Sequence, residues 1–203
     1  KLEERTEFIS EKIKTLTKSK NDKFTEGLIT AFLLFCMGSM SIIGPIEEGL
    51  TGEISDLLLT KSMMDGFSAF MLSSTFGFGV VFSAIPLLFY QGGITIFADF
   101  IGNLSTQNTF CFDTETTGLD VYNDKLLGLS FSWKETEGYY IPVNETNKNE
   151  VLSALKPIFE NPNSKKIGQN MKFDLMMLAV NGISLKGELC DCMIAHYLLQ
   201  PEL

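Results

Sequence analysis

The sequence predicts two architectures in one chain, an all-α transmembrane segment followed by an α/β domain. Residues 27–46 and 66–98 contain no charged side chain, and a helix that crosses a bilayer needs about 20 apolar residues. After residue 105 charged side chains are spread evenly, and the apolar runs shorten to the length of strands. The overall composition, 203 residues with a net charge of −9 and 45% hydrophobic residues, therefore averages two unlike halves. Such an acidic chain is a poor match to a stand-alone nucleic-acid coat protein.

The first 25 residues (1–25) are predicted to form an amphipathic cytoplasmic helix. Their apolar positions Leu2, Ile9, Ile13 and Leu16 recur at helical spacing among charged residues. This pattern is typical of a helix that lies at the headgroup level or packs on a neighbour, and a solvated linker helix is the alternative. The positive charges of this segment place it in the cytoplasm, and the acidic loop that follows the first uncharged run is placed outside.

Residues 26–101 are predicted to be transmembrane helices in a lipid bilayer. We expect spans over 28–46 and roughly 66–84, where uncharged residues are continuous. Helix-breaking residues are expected to interrupt the rest of the second run, so that it forms a short span or a re-entrant segment. These are Pro86, Gly92 and Gly93, within residues 86–98.

Three stretches of the membrane half carry a family resemblance. In chain order they are KLEER, EGLITAFLLFCMGSMSIIGPIEEGLTG and LLLTKSMMDGFSAFMLSSTFGFGVVFSAIPLLFYQGGITI. They show that residues 1 to about 100 resemble the interior of the YqgA-like family of uncharacterised bacterial inner-membrane proteins. The resemblance implies a protein with several spans, of which this chain would hold an interior portion. The family has no established activity, although a transport role is often guessed.

Residues 102–108 are predicted to be a junction, and residues 109–203 to form the α/β domain. Its elements are predicted from apolar alternation for strands and helical spacing for helices. They are a strand that starts at Thr109 and runs into a turn at Gly118, strands at 126–133 and 139–143, and a helix at 150–160 that continues through Pro157 or kinks there. A strand at 165–168, a helix at 170–180, a strand at 187–190 and a helix at 192–199 follow. The first three strands read as a meander, and the whole order is typical of an α/β fold.

Asp113 and Glu115 are the first candidate site residues. Residues i and i+2 of a strand point to the same face, so both carboxylates project together from the first strand. Two adjacent carboxylates repel one another unless a cation lies between them, and Mg²⁺ prefers one or two carboxylates with waters and substrate phosphate. A surface strand that carries two acids and no metal is the common alternative.

Longer motifs in this half carry a second resemblance. FDTETTGLD and IGQNMKFDLMML, with the trailing CDCMIAHYLLQPE, strongly resemble the proofreading domain of bacterial DNA polymerase I, of the DEDD superfamily of 3′–5′ exonucleases. Over residues 107–203 this resemblance implies an α/β ribonuclease-H-like exonuclease fold, a three-stranded antiparallel meander plus parallel strands, C-terminally truncated. It also implies Asp113, Glu115 and Asp174 as catalytic metal ligands, Leu119 against the 3′-terminal base, and Gln169, Asn170 and Phe173 along the cleft for the single-stranded end.

The same resemblance implies cofactors and partners. Two divalent ions, Mg²⁺ or Mn²⁺, about 4 Å apart would clamp the scissile phosphate, and the substrate would be the 3′ end of single-stranded DNA. Aromatic and apolar groups would stack on bases without reading their sequence. No small organic cofactor is expected, and the family acts in DNA replication and repair.

One part of the family pattern is missing from the sequence. The third motif, a Tyr or His a few residues before a fourth Asp, is absent, and His196 is soon followed by Pro201. Asp191 is interpreted as a helix cap and not as a substitute ligand, because the family has its cap at the corresponding place. Removing one member of a cooperating set usually costs orders of magnitude in rate. We therefore expect an exonuclease fold with little or no activity.

Three interpretations of the whole chain stay open. The missing initial Met and the two partial resemblances favour a join of two unrelated gene pieces. The second interpretation is a membrane-tethered nuclease, with the first half in the bacterial inner membrane and the exonuclease half cytoplasmic after an even number of crossings. The third is a transporter-like or scaffold membrane protein with a non-catalytic nucleic-acid-binding or vestigial domain.

Overall fold

The structure is a computed structural model that describes residues 23–200. The amphipathic helix predicted over 1–25 therefore lies almost wholly outside the described residues. The described chain divides between Gly102 and Asn103 into two compact units. The first is helical and the second is mixed α/β.

The helical unit contains five helices within the described residues, the last of which ends beyond Gly102. They are α1 (Lys23–Cys36), α2 (Met40–Thr51), α3 (Asp56–Phe76), α4 (Gly79–Phe82) and α5 (Ala84–Ser105). Its buried cluster consists of Ala31, Phe35 and Val80. By contrast, many large apolar side chains face outward, among them Phe70 (80% exposed) and Phe89 (76% exposed). This unit therefore presents an apolar exterior.

The expected helix over 66–84 is wrong in its bounds. Helix α3 ends at Phe76, because Gly77 leaves the helical conformation with a positive φ of 70°. The N–H of Gly77 still makes the last helical hydrogen bond, to the carbonyl of Ser73. The expected interruption at Pro86 and Gly92-Gly93 is also wrong, since α5 runs continuously from Ala84 to Ser105. Pro86 is the third residue of that helix, where a missing N–H breaks no intrahelical hydrogen bond.

The first expected span, 28–46, corresponds to two helices. Helices α1 and α2 are bent by 60° at the break between Cys36 and Met40. The buried hydroxyl of Ser41 donates to the carbonyl of Phe35 at 2.6 Å and so satisfies an acceptor exposed by the break. By length and composition, one run in residues 23–200, Gly79–Ser105, could cross a membrane, and the bent pair would make a second crossing if it counts as one span.

The α/β unit is built on a five-stranded sheet with the order β3-β2-β1-β4-β5. Its elements are β1 (Thr109–Thr116), β2 (Leu126–Lys134), β3 (Glu137–Pro142), α6 (Lys148–Phe159), β4 (Lys165–Gly168), α7 (Met171–Val180), β5 (Leu189–Asp191) and α8 (Cys192–Leu199). Strands β1, β2 and β3 pair antiparallel, and β4 and β5 add in parallel beyond β1. The predicted order of strands and helices is confirmed.

Helix α6 covers one face of this sheet. Phe159 at its end contacts the rings of Phe110, Phe112 and Phe131, with centroids 5.1–6.2 Å apart. The alternation of β1 sends Phe110 and Phe112 to this inner face and leaves the residues between them exposed on the other. The site residues of β1 therefore stand on the face that α6 does not cover.

Lys166 is a buried residue of β4 whose side chain holds neighbouring loops by hydrogen bonds. Its side chain is fully buried, and its ammonium donates to the carbonyls of Asn161 (2.6 Å), Ser164 (3.2 Å) and Lys186 (2.6 Å). Burial lowers the pKa of Lys166, and the three carbonyls supply the partners that a buried ammonium requires. Gly187, at φ 90°, passes so close that a Cβ would lie 2.4 Å from the Ser164 carbonyl oxygen. One cation thus joins the loop before β4 to the loop between α7 and β5.

Candidate metal and nucleic-acid site

Asp113 and Glu115 lie side by side on the uncovered face of β1. Both are exposed, whereas Phe112 and Thr114 beside them are buried. Across the sheet, Asp113 is the register partner of Ser130 in β2. The prediction that these two carboxylates share one face agrees with this alternation.

Asp174 reaches the same strand from helix α7. Its carboxylate oxygen Oδ1 accepts two hydrogen bonds from Thr114, one from the backbone N–H at 3.1 Å and one from the hydroxyl at 2.5 Å. These bonds are possible because β4 pairs with β1 only as far as Cys111, so the next part of the β1 edge is open to the helix. The side chain of Asp174 is 2% exposed.

The electrostatics of Asp174 favour a neighbouring cation. Burial raises the pKa of the Asp174 carboxyl, the bond from the Thr114 hydroxyl opposes that shift, and the charge of nearby Asp113 adds to it. A buried carboxylate beside a second carboxylate is costly in the ionised form. A bound cation would remove that cost.

Asp191 organises the start of two helices. Its carboxylate accepts hydrogen bonds from the backbone N–H groups of Met193 and Ile194 in α8, and from those of Asn170 and Met171 at the start of α7. Burial opposes ionisation of Asp191, but these four donors together hold its pKa below the ordinary value. The interpretation of Asp191 as a helix cap is confirmed, and the second helix that it caps was not predicted.

A cavity of about 940 Å³ opens over the uncovered sheet face. Asp113, Gln169 and Asn170 are among the predicted residues that line it. Asn170 stands at the N-terminus of α7 in the left-handed conformation, with φ 55°, which asparagine tolerates better than most residues. The cleft function expected of Gln169 and Asn170 agrees with this position.

The other predicted residues lie outside the lining of that cavity. They are Glu115, Asp174, Leu119 and Phe173. Leu119 is 87% exposed beyond the end of β1, and Phe173 is half-buried in α7. The sheet and α7 thus bring Asp113 close to Asp174, and they leave Leu119 apart from the cavity.

The donor set is chemically suited to a hard divalent cation, because all three candidate ligands are carboxylates. Among residues 23–200, however, no three Asp, Glu, His or Cys side chains lie close enough together to hold a metal ion. Asp113 and Asp174 approach each other closely enough to interact. The third carboxylate, Glu115, does not complete a three-ligand cluster with them.

Sequence reasoning missed two residues of this region. Thr114 is the buried polar residue between the two acids, and a buried hydroxyl requires a partner, so the alternation of β1 could have indicated a ligand-positioning role. Tyr140 lines the cavity and is the register partner of Ser130, itself paired with Asp113. Its position could be recognised only after the register of β3 was known.

Two family profiles match the chain. The first, described as a protein of unknown function (DUF554), matches residues 1–118, and the second, described as 3′–5′ exonuclease, matches residues 94–203. Each match covers more than half of the chain. The chain belongs to both families. Their matches overlap over 94–118, which includes the second half of α5 and all of β1.

Relatives of the DUF554 region are bacterial proteins of unknown activity. The uncharacterized membrane protein YdfK of Bacillus subtilis is 47% identical over 85 residues, which are 42% of this chain and 37% of YdfK. The uncharacterized protein YqgA of Escherichia coli is 30% identical over 102 residues, which are 50% of this chain and 43% of YqgA. The chain spans less than half of either relative.

Relatives of the exonuclease domain are DNA polymerases. The DNA polymerase I of Borreliella burgdorferi is 42% identical over 109 residues, which are 51% of this chain and 12% of the polymerase. A solved structure of Brucella melitensis NrnC is 22% identical, with a TM-score of 0.41, and the match covers 49% of this chain and 48% of that one. The chain spans about an eighth of the polymerase.

Both resemblances read from the sequence are confirmed by these matches. The chain is a 3′–5′ exonuclease domain of the DNA polymerase I type fused to a DUF554 region. The mixed sheet of the second unit, with its antiparallel meander and added parallel strands, agrees with the expected ribonuclease-H-like exonuclease fold.

Proposed function

We propose that the α/β unit is a divalent-metal-dependent 3′–5′ exonuclease that acts on the end of single-stranded DNA. The observation that supports this most is the bonding of Asp174 to Thr114, since it fixes a buried carboxylate next to Asp113. Membership of the 3′–5′ exonuclease family supplies the direction of attack. A role in DNA replication or repair belongs to the same proposal.

The metal ligands in this proposal are Asp113, Glu115 and Asp174. Bound Mg²⁺ or Mn²⁺ would polarise the scissile phosphate and lower the pKa of an attacking water. The chain's own contribution is to position the carboxylates. Strand alternation aims Asp113 and Glu115 at one face, and Thr114 holds Asp174 through two donors.

The single-stranded end would lie along the start of α7. Gln169 and Asn170 offer exposed side-chain amides there, beside the cavity, and Phe173 offers a ring face one turn on. Leu119 would support the terminal base from the loop after β1, where its apolar side chain is exposed. Such contacts hold bases without reading their sequence.

A second candidate function is nucleic-acid binding without hydrolysis. It is favoured by the finding that no three-ligand metal cluster exists in residues 23–200. A cleft of this kind could hold a single strand and leave its backbone intact.

The two candidate functions differ in their dependence on a metal ion. The exonuclease needs bound Mn²⁺ to shorten a strand, whereas binding without hydrolysis leaves the strand intact. If the chain is an exonuclease, we expect electron paramagnetic resonance of the full chain in detergent to detect bound Mn²⁺, and a 5′-labelled single strand to be shortened from its 3′ end. Asp113→Ala should remove both signals, whereas Asp120→Ala, an exposed acid in the following loop, should change neither. Metal-independent shortening, or shortening from the 5′ end, would contradict the exonuclease. Strand binding without any shortening would establish the second function.

For the helical unit we propose that residues 26–101 lie in the bacterial inner membrane, after a cytoplasmic segment 1–25. Its apolar exterior and the run Gly79–Ser105 support this, as does the membrane assignment of the relative YdfK. Counting the bent pair α1–α2 as one crossing and the run as another returns the chain to its starting side. The junction 102–108 and the exonuclease domain 109–203 would then be cytoplasmic.

Membrane insertion can be tested with one matched pair of substitutions. Phe89→Arg places a cation in the middle of the apolar run, where it costs about 2.5–3.5 kcal/mol, and should release part of the chain into the alkaline extract of membranes. Gln107→Arg, beyond the end of α5, should leave extraction unchanged. Equal behaviour of the two variants would contradict a span over 79–105.

A further inference from the structure

The uncovered sheet face carries one aromatic side chain that no motif points to. Asp113, Ser130 and Tyr140 are consecutive register partners across β1, β2 and β3, and directly opposed residues of antiparallel strands share a face. Tyr140 is therefore on the side of the two acids. It lines the same cavity as Asp113, Gln169 and Asn170, and its side chain is 55% exposed.

Three other aromatic residues of these strands also line the cavity, namely Phe112, Phe131 and Tyr139, but their rings are engaged with other rings. Phe110, Phe112 and Phe131 belong to the ring cluster around Phe159 on the covered face. Tyr139 is opposite Phe131 in the register, and its ring stacks on Trp133 at 4.4 Å with an interplanar angle of 3°. By register, Tyr140 is thus the aromatic residue of β1–β3 that shares a face with Asp113.

The orientation of the Tyr140 ring is fixed by a glycine. A Cβ on Gly128 would lie 2.2 Å from the phenol oxygen of Tyr140 and 2.5 Å from its Cε2 atom, so the ring lies across Gly128. Gly128 is the register partner of Glu115. The ring therefore leans from the Asp113 row toward the Glu115 row, and its hydroxyl reaches only a long bond of 3.4 Å to the Leu127 carbonyl.

The distance from the carboxylates suits a nucleotide. Tyr140 and Asp113 are two strand spacings apart, about 10 Å between their α-carbons, and the leaning ring shortens this separation. A phosphate held at the carboxylates would therefore place a base of the same strand near the ring. The cavity of about 940 Å³ is at the upper end of small-ligand pockets, so it has room for more than one nucleotide.

The geometry points to Tyr140 as a stacking platform for a nucleobase, which adds a base subsite on the β2–β3 side of the cleft. The inference rests on the proposed function, because it takes single-stranded nucleic acid as the substrate. Gly128 is the positioning residue, because its missing side chain leaves the space that the end of the ring occupies. Stacking uses the ring and not the hydroxyl, so the subsite is tolerant of base identity.

The test uses a short oligodeoxyadenylate with one 2-aminopurine, placed in turn at the last three positions of the 3′ end. Stacking on an aromatic ring quenches 2-aminopurine fluorescence, so the full chain in detergent and EDTA should quench one of the three probes. Tyr140→Phe should retain the quenching. Tyr140→Ala should relieve it and weaken binding about 5- to 100-fold.

Two further variants distinguish a loss of base stacking on Tyr140 from a general loss of folding. Gly128→Ala should relieve the quenching by displacing the ring, and since the obstructing atoms belong to the end of a movable side chain the sheet should stay folded. Tyr122→Ala removes a tyrosine that is 77% exposed outside the cavity and should change nothing. Fluorescence of Trp133, the single tryptophan, checks that each variant is folded.

The failure of this inference is distinguishable from that of the proposed function. Unchanged quenching and affinity in Tyr140→Ala would overturn the platform, while metal-dependent shortening that is lost in Asp113→Ala would leave the exonuclease standing. A wild-type chain that does not bind the single strand would overturn both. Loss of binding in Tyr140→Phe as well would overturn a stacking role, because it would assign the contact to the hydroxyl.

Discussion

Thr114 binds Asp174 through both of its donors, across a separation of 60 residues in the chain. The backbone N–H and the hydroxyl converge on one carboxylate oxygen. Strand β1 thereby exposes Asp113 and Glu115 on one side and holds the third carboxylate with the residue between them. The tripeptide 113–115 therefore supplies two candidate metal ligands, and its middle residue, Thr114, positions the third, Asp174.

Thr114→Val should weaken both stability and metal binding. The substitution keeps the shape of the side chain and removes the hydroxyl bond to Asp174, which for a charged acceptor is worth about 1.5–3 kcal/mol. Urea unfolding followed by Trp133 fluorescence measures the first effect, and Mn²⁺ titration measures the second. Thr109→Val, on the exposed face of the same strand, is the matched control. Equal metal affinity in the two variants would contradict the positioning role of Thr114.

Asp174→Asn should stabilise the metal-free chain at neutral pH. The folded state raises the pKa of Asp174, so folding favours the protonated form, and this contribution to stability is lost as pH rises through the folded pKa. Asparagine keeps an acceptor for Thr114 without the charge. We expect a rise in Tm of roughly 2–6 °C at pH 7, which vanishes below the ordinary pKa of an aspartate. A lower Tm of the variant at pH 7 would contradict the assignment.

Asp191→Asn should show the opposite dependence on pH. The folded state lowers the pKa of Asp191, so its contribution is complete above the unfolded pKa and is lost as pH falls through the folded pKa. The Tm of the wild type should therefore exceed that of Asp191→Asn at pH 6, and the gap should close in acid. Asp191→Ala, which has no capping oxygen, should be less stable than both at every pH. A constant gap between wild type and Asp191→Asn would refute the four-donor cap.

Lys166→Met should destabilise the α/β unit by about 2–4 kcal/mol. Methionine fills much of the volume of the lysine stem, but it leaves three carbonyl oxygens without their donor. Urea unfolding monitored by Trp133 measures the loss. The neighbouring substitution Lys165→Met removes only a surface ion pair with Glu188 and should change stability little. If both variants unfold at the same urea concentration, the hydrogen bonds of the buried Lys166 ammonium do not stabilise the fold.

Local patterns in the sequence predicted much of the α/β unit. Alternation in β1 placed Asp113 and Glu115 on one face, and the family motif placed Asp174 at the start of α7, near the strand. The bond between Asp174 and Thr114 could not be predicted, because it depends on where β4 stops pairing with β1. The base subsite at Tyr140 similarly depends on the register of β3 and on the absence of a side chain at Gly128.

In the helical unit, the predicted helix break was wrong because proline was taken as a helix breaker wherever it stands in a helix. Pro86 was expected to break a helix, yet it stands in the first turn of α5, where proline is compatible with the backbone. The true break falls at Gly77, whose positive φ favours glycine. The expected interruption at Pro86, Gly92 and Gly93 therefore lies inside a continuous helix, and the break comes before it.

The double cap at Asp191 limits how this domain can change in evolution. Strand β5 ends on Asp191 and α8 begins at the next residue, so no connecting loop exists that could absorb an inserted or deleted residue. A shift of one position would detach the Asp191 carboxylate from the starts of both helices. Because α7 would then move, Gln169, Asn170 and Asp174 would be displaced as well. The junction between β5 and α8 should consequently keep its length in descendants of this domain, while the exposed turn between β2 and β3 is free to vary.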